Sequence, residues 1–323
     1  MLVTVTLNAA VDKTYLLPRF QLGEVHRART VQTQAGGKGI NVARVAKRLG
    51  MEQVIATGFV AGANGRYIRQ GCELEGIQPD FMETPGESRT CLAFVDEASG
   101  SVTEVLEQGA VVSEEAFEQL KPKLERLARS ASCVVLSGSL PGGLPSDTYR
   151  TLIQLVRDAG SLPVLDTSGE GLRIGLEGRP YAIKPNREEA EVLLGYRLES
   201  DLEKRQAVID LISMGAEHVL LSLGQEGAWF GSAKEIWSYE AVRLPQAIHT
   251  VGCGDSLLAG MVTGRLQGMA WNDAVRLGMA CGASNACSIG AGQVELEVVE
   301  RLRQQVKGTR ISHEESCADE RGE

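Results

Sequence analysis

Short apolar runs rich in branched residues recur along the chain and alternate with segments of helical periodicity. This alternation predicts parallel strands joined by crossover helices, because parallel strands need long connections and are buried on both faces of their sheet. We therefore expect an α/β fold. The runs that predict its strands lie at residues 2–7, 54–59, 133–136, 162–165, 181–183 and 219–223.

Helical periodicity is clearest after residue 40. Val42, Val45, Ala46 and Leu49 follow the i, i+3, i+4, i+7 spacing of one helix face, and Gly50 provides a stop. Similar apolar stripes at residues 114–127 and 148–159 predict two further helices.

Two regions interrupt this rhythm with short alternating segments that contain Thr, Val and charged residues. They lie at residues 12–34 and 87–107, and they predict a small β lid beside the main sheet. We expect one domain over residues 1–306 with both lid segments inserted in it. Residues 307–323 have too little apolar surface to offset the entropy of ordering, so we expect a mobile polar tail.

The composition excludes several classes of protein. A formal net charge of −9 argues against nucleic-acid binding, which needs clustered Lys and Arg. The seven cysteines form no CxxC pair, which disfavours a disulfide framework or a structural zinc site. No apolar run approaches the ~20 residues of a membrane span, and the N-terminal segment lacks the pattern of a signal peptide. We expect a cytoplasmic protein that binds neither nucleic acid nor membranes.

The strongest local motif is TVGCGDSLLAG at residues 250–260. Its glycines allow successive backbone N–H groups to face one space at a helix N-terminus, where the helix dipole also favours an anion. Gly252, Cys253 and Gly254 would form this anion hole. Asp255 has an ordinary explanation as a first-turn acid, but a carboxylate beside a phosphoryl group is useful when it accepts the proton of the attacking hydroxyl.

A second glycine cluster, GGKGIN at residues 36–41, opens another predicted helix. Gly37 would allow close approach of a ligand to the backbone, Lys38 would neutralise a phosphate, and Asn41 would bind sugar hydroxyls. A flexible strand-to-helix turn with a solvated lysine explains the same residues. A P-loop has Ser or Thr after its lysine and a glycine six positions before it, but here Gly39 follows Lys38 and position 32 is Gln. Neither cluster fits a dinucleotide-binding fingerprint either.

Residues 184–191, KPNREEAE, follow a predicted strand and begin a helix that places Asn186 and Glu189 on one face. Their oxygens would suit Mg²⁺ held largely through water, although a helix capping box uses the same two residues. Ser222, Gly224 and Gly227 end another strand and would pass beneath a nucleotide, or they form a plain connection between strands.

Three charged residues complete the set of candidates. Asp12 follows the first strand and would bind sugar hydroxyls or cap a turn. Arg27 and Arg89 lie in the predicted lid, where they would contact a ligand or remain solvated. None of these three residues can be assigned a ligand-binding role from its local sequence alone.

Together, these segments resemble the ribokinase-like PfkB carbohydrate kinases from residue 4 to about residue 292. The resemblance implies a three-layer fold with a mostly parallel central sheet, a β lid over the sugar and a homodimer formed through that lid. It also implies ATP and Mg²⁺ as cofactors. The motifs that carry it occur in family order: NAAVD at 8–12, GGKGINVAR at 36–44, SGSLPG at 137–142, DTSG at 166–169, KPN at 184–186 and GCGD at 252–255.

The resemblance also implies a role for each matching residue. Asp255 would be the catalytic base, Ser139 would contact the sugar, and Lys184 and Asn186 would bind phosphates and magnesium. Asn285 would border ATP. Two departures from the family pattern are Cys253, where alanine is usual, and Gln108, where proline is common. The Cys253 backbone N–H is unchanged, but a thiol there raises the hypothesis of sensitivity to oxidation.

Within the family, the motifs are similar to those of the branch that contains 1-phosphofructokinase and tagatose-6-phosphate kinase. Lys38, Arg27 and Arg89 would supply the charge that a phosphorylated sugar needs. The first expected reaction converts fructose 1-phosphate to fructose 1,6-bisphosphate. Tagatose 6-phosphate and fructose 6-phosphate are the alternatives, and a non-catalytic sugar-phosphate sensor is the alternative from another class.

Overall fold

The computed structural model describes residues 1–244 and 248–311, which form two sheets and their surrounding helices. Every predicted strand and helix is present, with boundaries shifted by a few residues. The strands are β1 (Leu2–Thr6), β2 (Ala10–Leu17), β3 (Thr30–Gly36), β4 (Val54–Val60), β5 (Gln78–Pro79), β6 (Met82–Glu83), β7 (Arg89–Asp96), β8 (Val102–Leu106), β9 (Cys133–Ser137), β10 (Leu162–Asp166), β11 (Ala182–Ile183), β12 (His218–Ser222), β13 (Ala228–Ser232), β14 (Ile236–Tyr239) and β15 (Gly308–Ile311).

The α-helices cover both faces of the main sheet. One layer buries its apolar side chains with Leu2 and Val54, and the other buries its side chains with Val3 and Ile55. Neighbouring strand residues thus point into opposite layers, which is why these strands are apolar throughout. The helices are α1 (Lys38–Arg48), α2 (Gly62–Leu74), α3 (Glu114–Ser130), α4 (Thr148–Asp158), α5 (Gly169–Leu176), α6 (Arg187–Leu194), α7 (Asp201–Ser213), α8 (Cys253–Leu266), α9 (Trp271–Ala286) and α10 (Leu296–Arg303).

The main sheet runs in the order β15-β14-β13-β12-β11-β10-β9-β1-β4-β5, and β6 also pairs with β4. The strands from β12 through β5 pair in parallel, and β13, β14 and β15 add an antiparallel edge. This confirms the expected α/β class with a mostly parallel sheet. The chain progresses away from β1 in both directions, so a crevice opens at the carboxyl ends of β1 and β9.

A separate four-stranded sheet has the order β3-β2-β7-β8. Strand β2 pairs antiparallel with β3 and parallel with β7, which in turn pairs antiparallel with β8. This sheet confirms the small β structure predicted from the two irregular regions, and we call it the lid. The limits of the domain remain a prediction.

The C-terminal segment corrects one expectation. Residues 308–311 form strand β15 and pair with β14, from Ile236 opposite Ile311 to Tyr239 opposite Gly308. The predicted mobile tail is therefore wrong for these four residues, because the open edge of β14 supplies hydrogen-bond partners that local composition does not reveal. The rest of the predicted tail, residues 312–323, lies outside the described residues. No helix within the described residues combines the length and hydropathy of a membrane-spanning segment.

Candidate active site

The candidate base, Asp255, lies in the first turn of α8 and is 6% exposed. Gly252 caps this helix with a φ of 79°, and a Cβ there would lie 2.7 Å from the Cβ of Ala291. The glycine therefore allows both the left-handed turn and the close packing beneath it. First-turn N–H groups have no partner within their helix, so the start of α8 is where an anion hole would lie. The Cys253 N–H already donates to the Thr250 carbonyl at 3.2 Å, and the anion hole remains a prediction.

Helix α1 brings Asn41 to this carboxylate. The Asn41 side-chain amide donates from Nδ2 to Asp255 Oδ2 over 2.8 Å, and Asn41 is itself buried. Burial raises the pKa of the Asp255 carboxyl, while the Lys38 ammonium and the Asn41 amide oppose that shift. A carboxyl with a raised pKa, held in one orientation, suits general-base chemistry.

The start of α1 depends on a glycine. Gly37 has a φ of 107°, and a Cβ there would lie 2.7 Å from the Thr6 side chain at the end of β1. A larger residue would push the helix away from the sheet. The GGKG segment thus places Lys38 and Asn41 at the same strand ends as Asp255.

The lid contributes two of the predicted sugar ligands. Ala10 pairs with Arg89 and Asp12 pairs with Cys91, so Asp12 and Arg89 project from the same face of the lid one step apart. Burial raises the pKa of Asp12 to about 6, although the charges of Arg44 and Arg89 oppose the shift. The Arg89 guanidinium also donates to the Asn8 carbonyl over 3.1 Å.

Of the other two predicted sugar ligands, Ser139 is linked to the polar residues described above and Arg27 is not. Ser139 follows β9 and accepts a hydrogen bond from the Asn8 side chain at 3.3 Å, which links it to the Arg89 side of the crevice. Arg27 lies in the exposed loop between β2 and β3. Among the described residues it makes no hydrogen bond or ion pair with the cluster, so its contact with sugar remains a prediction.

A buried aspartate connects the two sides of the site. Asp166 Oδ1 lies 3.2 Å from Lys38 Nζ and 3.4 Å from Lys184 Nζ. Burial opposes ionisation, but the ammonium groups of Lys184 and Lys38 outweigh it and hold the Asp166 pKa below its usual value. Burial would likewise lower the pKa of Lys38, yet the charge of Asp166 raises it. Lys38 therefore remains charged at the end of the sheet.

Lys184 also reaches the anion hole. Its Nζ lies 3.2 Å from the position that a Cβ on Gly254 would occupy, and the residue is only 4% exposed. A phosphoryl group at the start of α8 would therefore meet a cation as well as backbone donors.

Asn186 and Glu189 form a capping box at the start of α6. Glu189 N donates to Asn186 Oδ1 at 2.8 Å, and Asn186 N donates to Glu189 Oε2 at 2.9 Å. The capping alternative is therefore what the structure shows, although both side chains keep partial exposure. No group of three or more His, Cys, Asp or Glu within the described ranges could hold a metal alone. The oxygen donors fit Mg²⁺ only if water and phosphate complete its shell, so this ion remains a prediction.

The other predicted nucleotide residues lie around the ends of β11 and β12. Ser222 donates from Oγ and from its backbone N–H to the Pro185 carbonyl, which ties the two strand ends together. Gly224 begins a short 3₁₀ turn that ends before Gly227. Asn285 is fully buried and donates to the Val251 carbonyl at 2.8 Å, so its amide supports the loop before α8 instead of facing a groove.

Sequence reasoning missed the roles of three residues. Asp166 appeared only within a family motif, although a strand that ends in an acid is a visible signal. His249 is 3% exposed, accepts from Val251 N at 3.1 Å through Nδ1 and pairs through Nε2 with the Ile289 carbonyl. It thereby holds the loop before α8, and no local pattern marks it. The third residue is Arg44, whose partners come from four separate segments.

Comparisons with known proteins show which family the chain resembles. Residues 5–297 match the model of the pfkB family carbohydrate kinases. A tagatose-6-phosphate kinase of Staphylococcus epidermidis is 36% identical over 312 residues, which cover 95% of this chain and 99% of the relative.

Solved structures share the fold. A putative phosphofructokinase from Staphylococcus aureus is 30% identical, with a TM-score of 0.81 over 97% of this chain and 99% of that one. Phosphofructokinase-2 from Escherichia coli, in complex with substrates and products, is 26% identical, with a TM-score of 0.86 over 94% and 98% of the two chains. The resemblance inferred from the motifs is confirmed, and the chain belongs to the pfkB family of carbohydrate kinases, phosphotransferases with an alcohol group as acceptor.

Proposed function

We propose that this protein is an ATP-dependent kinase that phosphorylates a ketohexose phosphate, with Asp255 as the catalytic base. The observation that carries the proposal is the position of Asp255. Its buried carboxylate is bonded to Asn41 at the start of α8. The polar lid residues Asp12 and Arg89 interact electrostatically around this site, and Lys184 approaches it from the other side.

The reaction follows from that placement. The acceptor hydroxyl transfers its proton to Asp255 while its oxygen attacks the γ-phosphorus of ATP, and the bond from that phosphorus to the β,γ-bridging oxygen breaks to release ADP. Backbone N–H groups at the start of α8 and the Lys184 ammonium stabilise charge on the moving phosphoryl group. Bound Mg²⁺ would neutralise phosphate charge, and Asn186 and Glu189 would hold it through water.

The cations of the site support a phosphorylated acceptor. Lys38 and Arg89 lie on the sugar side, and Lys38 keeps its charge because Asp166 is beside it. Lys38 already has the Asp166 carboxylate beside it, and Arg89 donates to the Asn8 carbonyl, so a phosphate would add an anionic partner that a neutral sugar cannot supply. Arg27 would add to this charge from the lid loop.

The first candidate acceptor remains fructose 1-phosphate, which would give fructose 1,6-bisphosphate. Tagatose 6-phosphate is the second, and it gains support from the relatives named tagatose-6-phosphate kinase that cover nearly the whole chain. Fructose 6-phosphate is the third. Fructose 1-phosphate and fructose 6-phosphate differ in the position of the phosphate, and fructose 6-phosphate and tagatose 6-phosphate differ in the configuration of one hydroxyl. Selection among them therefore depends on a few contacts in the pocket.

The lid also supports a homodimer. Large apolar side chains on its strands and loops are exposed, which is unusual for the surface of a monomer and typical of an interface. We propose that two copies pair through the lid, and size-exclusion chromatography with light scattering tests it. Replacement of Val105 by Lys should shift a dimer toward monomer, whereas a wild-type monomer would refute the proposal. The exposed residues are Leu22, Val25, Val31, Val105 and Leu106.

A coupled assay of ADP release decides the function. It compares the three ketohexose phosphates, with ribose and adenosine as controls, at fixed ATP and Mg²⁺. Turnover with one of the phosphates at a kcat/KM at least tenfold above ribose and adenosine supports the proposal. Binding of a sugar phosphate without turnover of any acceptor would favour the sensor.

A further inference from the structure

Arg44 is the largest fully buried side chain of the described residues, at 1% exposure, and it lies one helical turn beyond Asn41 on α1. Its Nε donates to Glu75 Oε2 at 2.7 Å, at the end of α2. One terminal nitrogen donates to Asn41 Oδ1 at 2.7 Å and to the Ala291 carbonyl at 3.0 Å. The other terminal nitrogen donates to the Ala35 carbonyl. The guanidinium therefore joins two helices, a lid strand and the loop after α9.

The contact with Asn41 decides how that amide is oriented. Because Arg44 only donates, it selects the oxygen end of the Asn41 amide and directs the NH₂ end toward Asp255. With the amide reversed, an oxygen would face the carboxylate and repel it. The bond from Asn41 to the base thus depends on a residue that does not touch the base.

The contact with Ala291 acts on the anion hole. The Ala291 carbonyl accepts from both Arg44 and the lid residue Gln34, the latter at 2.7 Å. Ala291 packs directly beneath Gly252, where its Cβ lies 2.7 Å from the position of an added Cβ. The Arg44 guanidinium therefore helps to hold Ala291 in place against Gly252, where α8 begins.

We propose that Arg44 is a positioning residue for phosphoryl transfer, which orients Asn41 toward Asp255 and holds Ala291 against the anion hole. This inference rests on the proposed kinase function. A merely structural role predicts a different result, since a buried arginine that only stabilises the fold would lower the amount of folded enzyme and leave the chemistry of each folded molecule unchanged.

The kinetic test is a double-mutant cycle of Arg44→Lys and Asn41→Ala in the full-length protein. Lysine keeps the charge but cannot reproduce the fork of donors. We expect Arg44→Lys to lower kcat by about 10²-fold, as a small displacement of a reacting group does, with less than about threefold change in the KM for ATP. In the Asn41→Ala background the same substitution should cost less than about tenfold, because the contact with Asn41 is already lost and only the contact with Ala291 remains. Independent, multiplicative losses in the two backgrounds would overturn the inference.

Glu75→Gln provides a milder variant should Arg44→Lys fold poorly. Glu75 contacts only the Nε of the guanidinium, whereas a terminal nitrogen bonds Asn41. We therefore expect a smaller loss of kcat in the same direction. The matched control is Glu73→Gln, on the exposed face of the same helix, which should leave kcat unchanged. Equal effects of the two glutamine variants would contradict the role of Arg44.

Crystal structures of the Arg44→Lys and Glu75→Gln variants test the geometry without any assay. A rotated Asn41 amide, or an Asn41-to-Asp255 distance beyond 3.5 Å, supports the inference, and an unchanged contact of 2.8 Å in both overturns it. Wild-type protein that is inactive on every sugar phosphate would refute the proposed function, whereas active wild type with additive variants would refute only the role of Arg44.

Discussion

The Asn41 amide nitrogen lies 2.8 Å from Asp255 Oδ2, and the two residues are 214 positions apart in the chain. Each lies near the start of a helix that approaches the carboxyl end of the sheet, α1 for Asn41 and α8 for Asp255. The contact fixes one oxygen of the carboxylate and leaves the other to accept a proton. It also joins the segment that would bind sugar to the segment that would bind phosphate.

Asp255→Asn should lower kcat by about 10²- to 10⁴-fold, the usual contribution of a general base, because an amide cannot accept the proton. ATP affinity should change less than about threefold, since the backbone donors remain. Coupled ADP release and isothermal titration measure the two effects. Asp158→Asn, at the exposed end of α4, is the control and should behave as wild type. A variant that retains more than half of the wild-type kcat would remove Asp255 from the role of base.

Asn41→Leu should move the loss of activity at low pH to higher pH. The amide opposes the effect of burial on the Asp255 pKa, so its removal raises that pKa further. Since only the ionised carboxylate accepts a proton, kcat falls as the pH drops through the pKa of Asp255. A profile of kcat from pH 5 to 9 should show the acidic limb shifted to higher pH. An unshifted limb would contradict the contact's influence on the base.

Asp12 should make sugar affinity dependent on pH. Its pKa is raised to about 6 by burial, so the carboxylate is protonated below that pH and accepts fewer hydrogen bonds from sugar hydroxyls. We expect the KM of the sugar phosphate to rise below about pH 6, several-fold for each unit. The phosphate of the sugar titrates nearby, so the comparison with Asp12→Asn is decisive. At pH 8 the KM of Asp12→Asn for the sugar phosphate should be at least about tenfold higher than that of wild type. Its KM should also lack the part of the pH dependence that is due to Asp12.

His249 should make folding stability fall at acid pH. Burial lowers its pKa below the ordinary value of 6.5, so the unfolded chain binds a proton more readily than the native one. The contribution of His249 to the free energy of unfolding is fully present above about pH 6.5, the pKa in the unfolded chain. It is lost as the pH falls toward the lower pKa of the folded protein. His249→Gln, whose amide can both donate and accept, should reduce the drop in melting temperature between pH 7.5 and 5.5 by about 2 °C or more. Equal drops would show that His249 is not the group responsible.

Cys253→Ala should leave kcat within about threefold of wild type, because the proposed anion hole consists of backbone groups, which the substitution leaves unchanged. Burial raises the pKa of the Cys253 thiol to about 11, so little reactive thiolate exists near neutral pH. This opposes the hypothesis of oxidation sensitivity that the sequence suggested. Mass spectrometry after brief treatment with iodoacetamide at pH 7.5 should find Cys253 unmodified. Rapid modification with loss of activity would restore that hypothesis.

The sequence alone determined the α/β class, the positions of the main strands along the chain and the helix starts that carry Lys38, Asn41 and Asp255. These features are local. A strand buried on both faces must be apolar throughout, and a backbone that turns into a helix beside a ligand requires glycine, so both leave a signal in neighbouring residues.

Only the tertiary structure decided which of these segments meet. The Asp166 carboxylate lies between Lys38 and Lys184, His249 contacts the Ile289 carbonyl, and Arg44 contacts Glu75 and Ala291. Most of these contacts join positions that are far apart in the chain. The same holds for β15, whose polar sequence predicts no strand until the open edge of β14 pairs with it. Such contacts arise from packing across the sheet, and their energy depends on burial and on partners that no local pattern encodes.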